Sequence, residues 1–174
     1  MEAIRLVRPA PEHERAAMEY RDEFLLNGDS LDGTAGLRHA ESYRAWLSKV
    51  RKNELPETVD EGLVDSTTFL AVRESDGALI GFIDVRHRLN GYLTQIGGHI
   101  GYSVRASERR KGYAKEMLRQ ALLYCKTLGL KRVLITCNND NEASRRTILA
   151  HGGVLENTAT EDSGQVVERY WIEL

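Results

Sequence analysis

One amphipathic helix limits the folds open to this chain more than any other feature. Ala114, Met117, Leu118, Ala121, Leu122, Cys125 and Leu128 fall on one stripe at helical spacing, and Gly129 stops the run. A strand at about Gln95–Val104 precedes the helix, and a buried-looking strand, Arg132–Cys137, follows it. A strand-helix-strand unit of this length pairs its flanking strands in parallel, because a single helix carries the chain back to the same end of the sheet.

The rest of the chain reads as hairpins and paired helices. Ile4–Arg8 alternates apolar and charged residues and ends at Pro9 and Pro11, so it reads as a strand. From Glu12 to Gly28 the stripe Ala17, Tyr20, Phe24 marks a helix. Tyr43, Trp46, Leu47 and Val50 mark a second helix, which ends before Pro56. Thr67–Arg73 and Ala78–Arg88 form a hairpin about Asp76-Gly77, and the Asn90-Gly91 turn leads on to the strand at Gln95. Past the crossover come a short helix, Glu142–Ala150, and a closing hairpin, Val154–Thr160 with Gln165–Ile172. The order β-α-α-β-β-β-α-β-α-β-β predicts a mixed α/β fold. Its central sheet is mostly antiparallel, is broken once by a parallel pair, and carries helices on both faces.

At 174 residues with no linker-like tract, the chain reads as one domain, residues 1–174. A net charge of −2 gives it no overall nucleic-acid footprint. Cys125 and Cys137 form no CxxC pair, and no apolar run approaches the roughly 20 residues of a membrane span. The charged N-terminal residues do not suit a signal peptide. Together these predict a cytoplasmic protein that binds neither membrane nor nucleic acid.

The segment joining the fourth strand to the long helix carries the chemistry. It runs Val104-Arg-Ala-Ser-Glu-Arg-Arg-Lys-Gly-Tyr-Ala114, with further bases at Lys115 and Arg119. Gly112 lets a ligand approach the backbone, and the free N–H groups of a helix start favour an anion. Basic side chains, glycine and helix start together describe a pyrophosphate cradle. The spacing matches neither GxxxxGK[ST] nor GxGxxG, so a P-loop and a dinucleotide fold are both disfavoured.

Arg109-Arg110-Lys111-Gly112-Tyr113-Ala114 fits the (Gln/Arg)-x-x-Gly-x-(Gly/Ala) motif, and with its strand-loop-helix setting it resembles the GNAT superfamily of N-acetyltransferases. Asn141-x-x-Ser144, followed by Gly152, resembles the family segment whose Asn contacts the pantetheine arm. His87, Leu89-Asn90 and Gly97–Tyr102 are similar to a bacterial subgroup of predicted acetyltransferases.

The resemblance implies acetyl-CoA as acyl donor, lying in a gap between strands four and five near Ser103–Val104 and Thr136–Cys137. It implies cofactor contacts from Ser103, Val104, Arg109, Arg110, Lys111, Gly112, Tyr113, Ala114, Asn141 and Ser144. A backbone N–H near Val104 would hold the thioester oxygen, and an amine of a small molecule or peptide would attack directly in a ternary complex, without a metal. The first two helices and the loop after them would form one wall of the acceptor site, and the resemblance leaves a homodimer open.

One departure stands out. Many family members place a tyrosine general acid seven residues after the helix-opening Asn, and here that position is Ile148. His99 is a candidate base, because an imidazole titrates near neutral pH. Tyr102 and Tyr170 are candidate acids, and His87 closes a strand that could face the same cleft. Cys137 could carry an acetyl group only by a covalent route. The acidic stretch Asn53–Ser66 could draw in a cationic amine. A non-catalytic acyl-CoA sensor is the competing reading, since the cofactor motif is complete and the usual tyrosine is missing.

Overall fold

The computed structural model describes residues 1–174. Its strands are β1 (Ile4–Val7), β2 (Ser66–Arg73), β3 (Leu79–Arg86), β4 (Ile100–Val104), β5 (Arg132–Asn138), β6 (Val154–Thr160) and β7 (Val166–Glu173). Its α-helices are α1 (Glu14–Asn27), α2 (Tyr43–Lys52), α3 (Tyr113–Thr127) and α4 (Glu142–Leu149). The order is the one the sequence predicts. Two differences matter: Leu93–Gly97 forms a π-helical turn, so that the strand begins only at Ile100, and the parallel neighbours β4 and β5 are splayed without a ladder, which divides the expected single sheet in two.

The strands form two antiparallel sheets, β1-β2-β3-β4 and β5-β7-β6. Strands β2 and β3 are buried on both faces, so they read as nearly continuous apolar runs. Leu70, Val72, Leu79 and Phe82 pack against Tyr20, Phe24, Tyr43 and Trp46 of α1 and α2. Phe69, Ala71, Ile83 and Val85 pack on the other face against Met117, Leu118, Ala121 and Cys125 of α3. Burying a large apolar side chain such as Leu70, Phe82, Ile83 or Met117 stabilises the fold by about 1.5–3 kcal/mol. The aromatic residues of α1 and α2 are therefore core, with Trp46 and Phe82 edge to face at 6.0 Å.

Strands β4 and β5 run the same way yet share no ladder. The hydrogen bond from Arg86 N–H to His99 C=O and the one from Arg105 N–H to Ile80 C=O fix the phase of the β3–β4 pairing. Residues 101 and 103 therefore point their backbone groups at β3, and Ile100, Tyr102 and Val104 point theirs away from it. By the same argument from β7, Thr136 and Asn138 direct their backbone groups toward β4. The result is a V-shaped gap bordered by unladdered peptide groups.

His99 closes the apex of that V. Its N–H donates to the Leu134 carbonyl at 2.7 Å, and its Nδ1 accepts from the Leu134 N–H at 2.9 Å.

Candidate acyl-coenzyme site

At the open end of the gap the chain turns through residues 105–112 into α3. The backbone is left-handed at Arg110 (φ 61°) and Gly112 (φ 91°). Those two turns keep the loop from continuing as strand or helix. None of the six backbone N–H groups from Arg110 to Lys115 has a partner within the chain. A helix start leaves its first N–H groups free and its dipole favours an anion, so six such groups in sequence among basic side chains make an anion cradle.

Basic side chains divide between bracing and open positions. Arg109 donates from Nε to the Val104 carbonyl at 3.0 Å and from Nη2 to Asp29 at 2.7 Å, with its guanidinium 5.6 Å from the Phe24 ring. It ties the cradle to α1 and the loop after it. Lys111 pairs with Glu108, and Arg119 pairs with Glu116. Arg110 and Lys115 are exposed and unpaired. Beside Gly112 opens a cleft of about 410 Å³ lined by Lys115, Glu116, Arg119, Ala150 and His151, with Met1 at its edge.

Three of the residues assigned to the cofactor turn their side chains elsewhere. Ser103 donates from Oγ to the Asp32 carbonyl at 2.6 Å, accepts from the Tyr20 hydroxyl at 3.1 Å, and spends its backbone on β3. Arg109 faces α1, and Tyr113 is core. Sequence spacing places these residues near the cradle but cannot say which way each one points. Val104 and its neighbour Tyr102 are the β4 residues near this end whose peptide groups border the gap.

Helix α4 begins over the same gap. The Asn141 side-chain oxygen accepts from the Ser144 N–H at 3.0 Å and so caps the helix. The Tyr102 hydroxyl lies 2.8 Å from Ser144 Oγ, which joins β4 to α4 across the strands. Burial pushes the Tyr102 phenol up to about 12. Tyr170 is also buried and its hydroxyl donates to Glu168 at 2.7 Å; burial first, then that carboxylate, push it up to about 12. Arg145 of α4 grips both oxygens of Glu168 at 2.8 Å and holds the latter well below the usual carboxylate range. Cys137 lies 4.0 Å from Glu168, and burial pushes its thiol up to about 11. Ile148, where the family's tyrosine would stand, is fully buried.

Neither histidine named in the sequence stands free. His99 is only 5% exposed, and burial pushes it down to about 4 while its Nδ1 is occupied by the Leu134 N–H. His87 lies at the other end of the sheet from the cradle. There Nδ1 bonds Asp65 at 2.9 Å and Nε2 bonds Thr67 at 2.9 Å. The acidic stretch is at that end too, with Glu54, Asp60 and Asp65 paired to Arg8, Lys52 and Arg88.

On the opposite face of β4 the loop between α1 and α2 crosses the strand at van der Waals distance. A side chain on Gly33, whose φ is +73°, would come within 2.4 Å of the Gly101 carbonyl oxygen, so backbone meets backbone here. That loop also lines a cleft of about 430 Å³ that includes Asp29, Asp32 and His39.

This architecture, a splayed strand pair with an amide-lined loop leading into a helix, defines an acyltransferase of the GNAT class. The sequence model of the acetyltransferase (GNAT) domain matches residues 5–154, and the chain belongs to that family. Solved structures with the same fold include a candidate ribosomal-protein-serine acetyltransferase from Vibrio cholerae. It is 17% identical, with a TM-score of 0.70 over 100% of this chain and 95% of that one. RimJ from Mycobacterium smegmatis, solved with CoA-disulfide, is 20% identical with a TM-score of 0.71 over 98% and 81%. A ribosomal-protein-S5-alanine acetyltransferase from Vibrio fischeri is 17% identical, with a TM-score of 0.66 over 98% and 91%. No curated protein is similar enough in sequence to be matched. No helix is long and apolar enough to cross a membrane.

Proposed function

We propose that residues 1–174 act as one acetyl-CoA-dependent N-acetyltransferase, which passes the acetyl group directly to a primary amine of a small molecule or peptide in a ternary complex. The observation that carries this reading is the run of six unpartnered N–H groups, Arg110 to Lys115, at the mouth of a gap bordered by unladdered peptides. The run suits a pyrophosphate, and Arg110 and Lys115 add charge. The gap suits a pantetheine arm, which would bond to strand edges as an added strand does. RimJ, of the same fold, binds coenzyme A as its disulfide.

In the transfer, the amine nitrogen attacks the thioester carbon, the C–S bond breaks, the nitrogen loses a proton and the thiolate gains one. The N–H of Tyr102 or Val104 would hold the oxyanion, worth about 3–4 kcal/mol in other acyl transfers. Tyr102 stays protonated near neutral pH and is tied to Ser144, so it is the chain's proton donor to the departing thiolate. Tyr170 is committed to Glu168, and a thiol as high as that of Cys137 is a poor acyl carrier. His99 is not the base in this reading, because its one acceptor nitrogen is spent and its proton affinity is low. The amine is taken to enter as its neutral form.

A non-catalytic acyl-CoA sensor is the second reading, favoured by the buried Ile148. A thiol-release assay over a panel of amines separates the two. The enzyme releases coenzyme A with at least one amine, and Tyr102→Phe lowers kcat about 100-fold while acetyl-CoA affinity holds. Tight binding without release by any amine would favour the sensor.

A further inference from the structure

Arg86 ends β3 on the face that carries the loop between α1 and α2, in phase with Phe82 and Asp84. Its guanidinium is fixed on two sides. Nη1 donates to the carbonyls of Gly97 at 3.0 Å and Gly98 at 3.2 Å, and Nε lies 3.6 Å from the buried Asp84 carboxylate. Nη2 makes no hydrogen bond within the chain. It lies 3.7 Å from the point where a side chain on Gly101 would begin. The side chain is 25% exposed, so solvent and small solutes reach it.

Gly101 explains why the group lies so close to β4. Ile100 and Tyr102, on either side, are the β4 residues whose peptides border the gap. A side chain at 101 would begin 3.3 Å from the Gly33 N and 3.7 Å from Nη2, so glycine lets the Gly33 backbone and the guanidinium lie side by side against the strand. A held guanidinium with one unspent donor beside the acyl gap is a preorganised recognition element for an oxygen anion.

Resting on the acetyltransferase reading above, we infer that Arg86 binds a carboxylate of the acceptor, so that the preferred acceptors are amino acids whose amine and carboxylate lie close together. A carboxylate on Nη2 brings a neighbouring amine to the border at Ile100–Tyr102, where the acyl carbon is to be met. The same guanidinium disfavours an ammonium ion beside it, which favours the neutral, nucleophilic amine. A peptide N-terminus would offer a neutral carbonyl in that position and forgo the charge-assisted bond.

The test compares free amino acids, tried singly, with their C-terminal amides and with short neutral peptides. The assay is acetyl-CoA-dependent thiol release, run on the full chain, on Arg86→Gln and on Arg86→Lys. At least one amino acid should exceed its amide in kcat/KM by about tenfold or more, the range of a charge-assisted hydrogen bond. Arg86→Gln should bring that ratio close to one, and Arg86→Lys should retain part of it. Because the ratio compares two acceptors on one protein, a general loss of stability cancels.

Amides or peptides outrunning the free acids would overturn the inference, and so would a ratio indifferent to Arg86→Gln. Release with no amino acid by a protein that binds acetyl-CoA in calorimetry would also overturn it, leaving the cofactor reading intact. Failure to bind acetyl-CoA at all would bring down the acetyltransferase reading, and the inference with it.

Discussion

Replacing His99 by Asn separates the titration of the apex residue from its bonding, because an Asn side-chain oxygen can take the place of Nδ1 toward the Leu134 N–H. In the native protein that bond requires a neutral ring. Burial lowers the ring's pKa from 6.5 to about 4, so between those values the unfolded chain holds a proton that the folded chain does not. Stability from this source is complete above pH 6.5, falls as the pH drops toward 4, and is flat below. At about 1.36 kcal/mol per pH unit the full span is worth about 3 kcal/mol, and partial solvent screening trims it to about 2 kcal/mol. For a chain of this size that is about 4–8 °C in Tm. Thermal unfolding of both proteins from pH 8 to 4 should show the wild type losing that much more than His99→Asn. The carboxylates titrate in both and cancel. Parallel profiles, or a ring resonance that titrates near pH 6.5 in the folded protein, would refute the assignment of His99 as the neutral bolt of the gap.

The close crossing of Gly33 over Gly101 makes Gly33→Ala costly: left-handed strain and the 2.4 Å approach together should destabilise by about 2–4 kcal/mol. A urea midpoint within about 0.5 kcal/mol of wild type would show that the loop is free to lift. With no histidine serving as base, kcat/KM for an amine acceptor should rise steadily with pH toward the amine's own pKa. A break near pH 6.5 would point to an imidazole that the structure leaves unidentified.

Local pattern carried much of this fold into view. The stripe of α3, the stop at Gly129 and the glycine-basic loop are all written at short range, so the crossover and the cradle follow from spacing. What escaped was decided over long distances. His99 follows Gly97 and Gly98, and alternation alone reads all three as strand; its partner Leu134 is 35 residues away on another sheet. Without that partner a strand histidine looks like a candidate base. Ser103 and Arg109 were assigned by adjacency to the cradle, but contacts with Asp32 and Asp29, more than 70 residues earlier, turn their side chains toward α1 and the loop after it.

Arg86 left one signal that could have been used. Asp84 and Arg86 alternate at the end of an otherwise apolar strand, so both charges fall on one face of a sheet with two covered faces. Charges in that position need partners or a purpose. Ile148, by contrast, was legible from counting alone, and its burial accords with the absence of a tyrosine acid there.

The central claim is the cradle, and calorimetric titration of acetyl-CoA tests it most directly. Wild type and an Arg110→Glu, Gly112→Asp double variant should be compared after circular dichroism shows that both are folded. Micromolar binding, about 8 kcal/mol, by the wild type and none by the variant is the predicted result. A folded wild type that ignores acetyl-CoA, or a variant that binds it equally well, would contradict the account.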